Sequence, residues 1–170
     1  MRTRRWPIAV VLCGLAVLVL VTLRDVLVAG NAVVPGRDAV EMYVWEYYTR
    51  SALSTGTLPF WNPFHFAGTP HLADVQKTVL YPLAWLLRWV PLDDFFTWMA
   101  ALHIWMTGAG ALFLARVVGL GWMASTATAI AGMLGGTTGP RLNNGHLLPM
   151  YVGAWFPWAL AFAIWAERFI

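Results

Sequence analysis

The chain has 170 residues, of which 59% are apolar and 11% are charged, with a mean hydropathy of +0.63. Soluble domains usually carry about 25% charged residues, so the composition excludes an ordinary soluble domain and predicts an integral membrane protein. The formal charge of +3 is scattered among apolar runs, which excludes a nucleic-acid-binding stripe and favours membrane lipids as partners. Cys13 is the single cysteine, so an intrachain disulfide is excluded.

The first apolar run, residues 6–23, follows the basic head MRTRR and contains no charged residue. About 18 to 20 apolar residues cross the hydrocarbon core of a bilayer, so this run is long enough to span it. The basic head predicts a cytoplasmic N-terminus. A cleavable signal peptide is the alternative, with small residues at Ala29, Gly30 and Ala32 as its cleavage region.

Residues 24–94 then form a large external segment, in which we expect a helix over 39–54 and an interfacial helix over 79–90. Between them lies the aromatic, proline-rich stretch PFWNPFHFAGTPHLADVQKTVLYP, residues 59–82. Loops of this length inside a compact fold are usually functional or disordered, and this stretch is too aromatic for disorder. We therefore predict that it belongs to the working part of the protein.

Three further apolar runs, at residues 95–118, 122–138 and 148–166, predict three more crossings. The run at residues 122–138 contains the small residues GMLGG, which favour close helix packing in lipid. The predicted fold class is an all-α integral membrane protein with about four transmembrane helices and one large external loop. In this topology the chain is a multi-pass protein with both termini in the cytoplasm, and residues 1–170 form the N-terminal part of a polytopic membrane domain.

Asp38 and Glu41 are the strongest candidates for chemistry. They lie three residues apart at the start of a predicted helix, so both carboxylates share one face and point toward one cleft above the bilayer. A carboxylate in such a pair can serve as a general base. The alternative is a capping box, in which Asp38 accepts from a backbone N–H and Glu41 reaches back.

The other candidates come from the two predicted outer segments. Trp61 belongs to an aromatic group with Phe64 and Phe66, which either packs beneath the loop or walls a ligand pocket. Polar candidates for substrate contact are Asp74, Gln76, Lys77, Arg141 and His146. The histidines lack a convincing metal-ligand spacing, so we predict no metal site, and we expect His103 to bond to a neighbouring helix.

A family resemblance is carried by the segment after the first span. GRDAVEMY, followed by a helix and LSTGTLPFWNPFHFAGTPHLADVQKTVLYPL, resembles the N-terminus of YfhO-like bacterial membrane proteins, which belong with the GT-C-type glycosyltransferases. The resemblance covers residues 38–83 well and the later spans only in general character. Members of this family are several times longer, so we expect this chain to be an N-terminal fragment.

The resemblance implies an enzyme of the bacterial plasma membrane. It would transfer a sugar from a polyprenyl-phosphate-linked donor to an extracytoplasmic glycan or cell-envelope acceptor. Asp38 matches the position of the acidic base that follows the first span. Arg37, Lys77 and Arg141 are candidates for contact with the donor phosphate. Some relatives of this architecture use a divalent metal, but no cluster here demands one.

Two other functions are compatible with the residues. A non-catalytic membrane protein would bind or transport a lipid or glycan through the aromatic loop. A small four-helix redox or metal protein would use His103 and His146, but no ligand pair occurs at i, i+4.

Overall fold

The computed structural model of the chain describes residues 8–28, 36–136 and 138–167, without the side chains of Val28 and Arg37. Over these residues the all-α prediction is confirmed. The helices are α1 Ile8–Thr22, α2 Arg24–Val28, α3 Arg37–Ser54, α4 Pro82–Leu87, α5 Leu92–Val117, α6 Trp122–Leu134, α7 Thr138–Asn144 and α8 Leu147–Ala166. A 3-10 turn covers Val75–Lys77, and a two-residue antiparallel pair joins β1 Trp61–Asn62 to β2 Thr69–Pro70.

Helix α5 is the axis of the bundle, and α1, α6 and α8 pack against it. Trp105 of α5 donates from Nε1 to the carbonyl oxygen of Leu12 in α1 at 3.1 Å. Trp158 of α8 donates to the carbonyl oxygen of Met106 at 2.9 Å. These cross-helix bonds tie α1 and α8 to α5 around a largely apolar core.

Two glycines of α5 let its neighbours approach closely. A Cβ at Gly108 would lie 2.3 Å from the Met133 sulfur of α6, and a Cβ at Gly110 would lie 2.6 Å from Trp158 Nε1. Since small residues allow helix backbones to approach in a tightly packed bundle, Gly108 and Gly110 set the spacing of α6 and α8 from the axis.

Two of the described helices, α5 and α8, are long and apolar enough to cross a membrane by length and composition. Helix α6 has 13 residues, or about 20 Å at 1.5 Å per residue, which is short of a hydrocarbon core of about 30 Å. It ends at Leu134 rather than at the predicted 138, because Gly135 leaves the helical conformation with ψ at 153°. Four crossings and an external loop therefore stay predictions. The basic head and the signal-cleavage alternative at residues 29–32 lie outside the described residues.

A buried ion network fastens α3 to α4. Glu46 is only 2% exposed and accepts from Arg88 Nε and Nη2 at 2.9 and 3.1 Å and from Arg50 Nε at 3.0 Å. Helix α4 is shorter than the predicted interfacial run. Trp85 and Leu86 within it and Trp89 just after it face outward, while Arg88 at its C-cap faces inward. The network thereby fixes how this segment lies against the bundle.

The aromatic loop does not bury its phenyl rings. Phe64 and Phe66 are 86% and 85% exposed, so the interpretation that they pack beneath the loop is wrong. The loop is organised by polar groups instead, because Asn62 is buried and its Oδ1 accepts from the backbone N–H of Phe64 at 2.9 Å. The result is a compact loop with an aromatic outer surface.

Candidate functional site

A cavity of about 670 Å³ lies where three distant parts of the chain meet. The first turns of α3, the 3-10 turn and the segment that opens α8 each contribute one wall. The lining residues are Asp38, Glu41, Met42, Trp45, Val75, Gln76, Gly145, His146, Leu147, Leu148, Pro149 and Val152. We call this space the Asp38 cavity. Its acidic and amide groups share the space with an apolar wall, so its chemistry suits an amphipathic ligand.

Two glycines bring the start of α3 against the turn before α8. Gly36 has φ of 120°, and a Cβ there would lie 2.2 Å from the backbone carbon of Asn144. Gly145 has φ of 74°, and its Cβ would lie 2.7 Å from the backbone nitrogen of Ala39. Positive φ favours glycine, and neither site has room for a side chain. This backbone contact places His146 beside the first turn of α3.

Asp38 pairs with His146 across the mouth of the cavity. Asp38 Oδ2 lies 3.1 Å from His146 Nε2, and the two side chains are 59% and 48% exposed. Helix α3 has Gly36 as its N-cap and no side-chain capping hydrogen bond, so the capping-box interpretation is wrong. Because a carboxylate only accepts, Nε2 carries the proton in this pair, and His146 holds Asp38 in place. Asp38 also lies in the first turn of α3, where the helix dipole favours negative charge.

Glu41 lines the same cavity as Asp38, so the shared cleft predicted from their spacing is present. Gln76 enters from the 3-10 turn on the far side of the loop. These two side chains, with Asp38 and His146, are the charged and amide groups that line the cavity. Their role in binding stays a prediction.

Asp74 and Lys77 hold the loop together beside the cavity. Asp74 caps the 3-10 turn by accepting from the backbone N–H of Gln76 at 2.9 Å. Lys77 is buried, and its Nζ lies 3.3 Å from both Thr69 Oγ1 and the Pro70 carbonyl oxygen and 3.6 Å from Asp74. The ammonium is engaged within the loop, and neither residue is among those that line the Asp38 cavity.

The other predicted site residues lie apart from the cavity lining. Trp61 is half exposed and its indole covers Gly68, while its carbonyl oxygen accepts from the Tyr48 hydroxyl at 2.7 Å. Arg141 lies on α7, with Nη1 beside Gly153 of α8. Arg37 begins α3, and its side chain lies outside the described part of the chain.

His71 has a structural role that the sequence does not reveal. It is fully buried, and its Nε2 lies 2.9 Å from Thr49 Oγ1. Thr49 Oγ1 donates to the Trp45 carbonyl oxygen, so the imidazole Nε2–H donates to Thr49. Burial first, and then the positive charge of Lys77, lower the pKa of His71 to about 4, so the ring is neutral at pH 7.

A second polar group, centred on Tyr81, was not anticipated from the sequence. Tyr81 Oη lies 2.6 Å from His103 Nε2, and Trp155 Nε1 donates to Tyr81 Oη at 2.8 Å. The prediction that His103 bonds to a neighbouring helix is wrong, because its ring instead contacts Tyr81 of the loop and the Met99 carbonyl oxygen of its own helix. The sequence feature that could have indicated this polar group is the single histidine within an apolar helix, because a histidine in such a place requires a polar partner.

Among the residues that the structure describes, no group of three or more His, Cys, Asp or Glu side chains is placed to hold a metal ion. Function must therefore be inferred from the Asp38 cavity, from the two candidate spans and from the resemblance over residues 38–83. No protein-family model, curated protein or solved structure matches this chain.

Proposed function

We propose that this chain is the N-terminal part of a GT-C-type membrane glycosyltransferase of the bacterial plasma membrane. In this proposal the Asp38 cavity is where a sugar passes from a polyprenyl-phosphate donor to an extracytoplasmic glycan or envelope acceptor. The observation that supports it most is the Asp38–His146 pair, which opens into a cavity with both polar and apolar walls. A lipid-linked sugar needs both kinds of wall.

Asp38 acts as the general base in the proposed reaction. Its carboxylate takes the proton of an acceptor hydroxyl, and that oxygen bonds to the anomeric carbon of the donor sugar. The bond from the anomeric carbon to the phosphate oxygen breaks, and its electron pair leaves with the polyprenyl phosphate. Because no covalent intermediate forms, the configuration at the anomeric carbon inverts.

His146 and its neighbours position the reacting groups. The bond from His146 Nε2–H to Asp38 Oδ2 leaves the other carboxylate oxygen for the acceptor. Glu41 and Gln76 line the same space and bind sugar hydroxyls. For the donor phosphate, Arg37 and Arg141 remain candidates, whereas the contacts of Lys77 within the loop leave it out of our proposal.

In this proposal the Asp38 cavity has a defined position relative to a bilayer. We infer that α1 and α5 cross the membrane, that α6 brings the chain back across it, that α8 crosses it again, and that the N-terminus is cytoplasmic. Trp85 and Trp89 are exposed on and next to α4, and tryptophan is enriched at membrane–water interfaces. On this basis the Asp38 cavity opens at the outer surface, where a lipid-linked donor presents its sugar.

The test is the Asp38→Asn variant of the full-length protein in membrane vesicles supplied with polyprenyl-phosphate sugars. Asparagine keeps the size of the side chain but removes the base, and general-base catalysis contributes about 10²- to 10⁴-fold. We expect transfer to fall at least about 100-fold with unchanged membrane insertion. The matched control is Asp25→Asn, because Asp25 is an exposed acid of α2 whose ion-pair partner among the described residues is the exposed Arg24.

A second candidate function is binding or transport of a lipid or glycan without catalysis. The exposed rings of Phe60, Trp61, Phe64 and Phe66 favour it, because aromatic faces contact sugars and lipids. In that case Trp61→Ala abolishes ligand binding and Asp38→Asn leaves it intact. Retention of full transfer by Asp38→Asn would rule out the proposed base.

A further inference from the structure

The aromatic loop contains a turn that presents two phenyl rings to its surroundings. Residues 63–68 connect β1 to β2, and we call them the aromatic tip. Phe64 and Phe66 of the tip are 86% and 85% exposed, and Phe60 and Trp61 just before it are 63% and 53% exposed. Single exposed apolar residues are common, but a group of large ones on one short loop marks an interaction surface.

The backbone of the tip holds Phe66 in an unfavourable conformation. Phe66 and Ala67 have φ of 46° and 60°, in the left-handed region, which bulky residues rarely adopt. The turn is closed by the Gly68 N–H, which donates to the His65 carbonyl oxygen at 2.9 Å. Such strain persists where the surrounding structure imposes it, and it is found at functional sites. Phe66 is therefore both strained and exposed, and a partner that buries its ring would offset these costs.

The loop that carries the tip lies alongside the outer end of α8. Lys77 Nζ lies 3.3 Å from the Pro70 carbonyl oxygen, which ties β2 to the 3-10 turn. Just beyond that turn, Trp155 of α8 donates from Nε1 to Tyr81 Oη at 2.8 Å. Trp155 lies about 12 Å along α8 from the start of the helix, at 1.5 Å per residue. Since α8 crosses the membrane in the proposed function, the loop lies at the height of the outer bilayer surface.

The chemistry of the surrounding segment suits a bilayer better than a hydrated protein surface. Residues 51–73 contain no Asp, Glu, Lys or Arg, so the loop has no ionic group with which to select an oppositely charged partner. Phenyl rings also carry no hydrogen-bonding group, whereas the residues that dominate protein–protein contacts are Trp, Tyr and Arg. Trp85, Leu86 and Trp89, on and next to α4, are exposed as well. Trp, Phe and Leu are the residues with which surface elements enter the headgroup–acyl boundary of a membrane.

We propose that the aromatic tip inserts Phe64 and Phe66 into the outer leaflet of the membrane, at the boundary between headgroups and acyl chains. The contact is apolar, so it requires no anionic headgroup. Because Lys77 joins the tip to the 3-10 turn, insertion also holds Gln76, on the wall of the Asp38 cavity, at a fixed height above the bilayer. The assignment rests on the membrane placement in the proposed function, but not on sugar transfer.

The test measures the depth of the tip with a nitroxide spin label on the full-length protein. Native cysteines, including Cys13, are replaced by alanine, and the label is attached at Ala67→Cys, which leaves both phenyl rings in place. The protein is reconstituted in phosphatidylcholine bilayers, whose headgroups carry no net charge. Electron paramagnetic resonance then compares collisions of the label with molecular oxygen, which concentrates in lipid, and with a nickel chelate, which stays in water.

Two further label positions serve as references. Phe156→Cys lies on α8 at a residue that is 70% exposed, and Asp25→Cys lies on α2, where the acidic side chain is 88% exposed. We expect oxygen collisions to exceed nickel collisions at Ala67→Cys, as at Phe156→Cys. An excess of nickel collisions, as expected at Asp25→Cys, would overturn the assignment. Few collisions with either reagent would also overturn it, because protein rather than lipid would then cover the tip.

Replacing the two rings separates insertion from folding. Because both rings are exposed, we expect Phe64→Ser combined with Phe66→Ser to leave the Tm in detergent unchanged. In bilayers, nickel collisions at Ala67→Cys should then exceed oxygen collisions. Tyr47→Ser is the matched control, because Tyr47 is 64% exposed on α3 and lies outside the loop, and it should leave both collision rates unchanged. A tip that stays in lipid without its rings would contradict the proposed insertion.

The label measurement needs no turnover, so it fails independently of the catalytic proposal. If Asp38→Asn keeps full transfer while the label at Ala67→Cys lies in lipid, the proposed base is wrong and the insertion of the tip stands. If Asp38→Asn abolishes transfer while that label lies in water or against protein, the base stands and the insertion is wrong. Frequent nickel collisions at Phe156→Cys would overturn the membrane placement of α8 and the insertion with it.

Discussion

Replacing Arg88 by Met should strongly destabilise the fold, because it leaves a buried carboxylate short of partners. Glu46 is 2% exposed and receives three hydrogen bonds, two from Arg88 and one from Arg50. Met keeps much of the length and packing of the arginine stem but donates nothing. The variant therefore tests the charge pair rather than the volume of the side chain.

The magnitude follows from the bonds that are lost. Breaking a buried ion pair by removing one partner costs about 3–5 kcal/mol, and the remaining bond from Arg50 places this case near the lower end. A chain of this length shifts its Tm by about 2–4 °C per kcal/mol. We expect Arg88→Met to lower the Tm by about 6–12 °C.

The assay is thermal unfolding of the purified protein in detergent, monitored by circular dichroism. Arg24→Met is the matched control, because the Arg24–Asp25 pair has side chains 71% and 88% exposed and should shift the Tm by no more than about 2 °C. Adding Glu46→Gln to Arg88→Met removes the stranded charge and should recover part of the loss. A single-variant shift as small as that of Arg24→Met would refute the reasoning.

Two further predictions concern the loop and the turn before α8. The pKa of His71 is lowered to about 4 from 6.5. As the pH falls, the unfolded chain therefore binds a proton at this residue before the folded chain does. The free energy of unfolding should fall by about 3 kcal/mol between pH 7 and pH 4. His71→Gln should flatten that part of a pH-dependent unfolding curve, and an unchanged slope would contradict the assignment. Gly145→Ala should cost about 2–4 kcal/mol and reduce transfer, because its Cβ would strike Ala39. Gly119 also has a positive φ, but a Cβ there would meet open space, so Gly119→Ala should cost only about 1 kcal/mol in the same unfolding assay. Equal destabilisation by the two variants would contradict the close contact between Gly145 and Ala39.

Composition and apolar periodicity were sufficient to predict the all-α class and the approximate positions of α3, α5 and α8. The capping interpretation of Asp38 and Glu41 failed because the start of α3 is fixed by a distant turn. That contact depends on Gly36 and Gly145, and a pattern within one helix carries no information about it. The same tertiary contact creates the Asp38–His146 pair.

The partners of Glu46 and Lys77 could not be predicted from the sequence either. The i, i+4 spacing of Glu46 and Arg50 favours a local pair, but nothing local indicates that Arg88 completes it. Lys77 was assigned to a ligand phosphate because sequence shows a charge and not its burial. Its neighbours in the loop engage the ammonium instead.

The most direct test of the central claim is the initial rate of sugar transfer by Asp38→Asn at saturating polyprenyl-phosphate donor. If the Asp38 carboxylate is the general base, the rate falls at least about 100-fold below that of Asp25→Asn. Equal rates for the two variants would contradict a catalytic role for the Asp38 cavity.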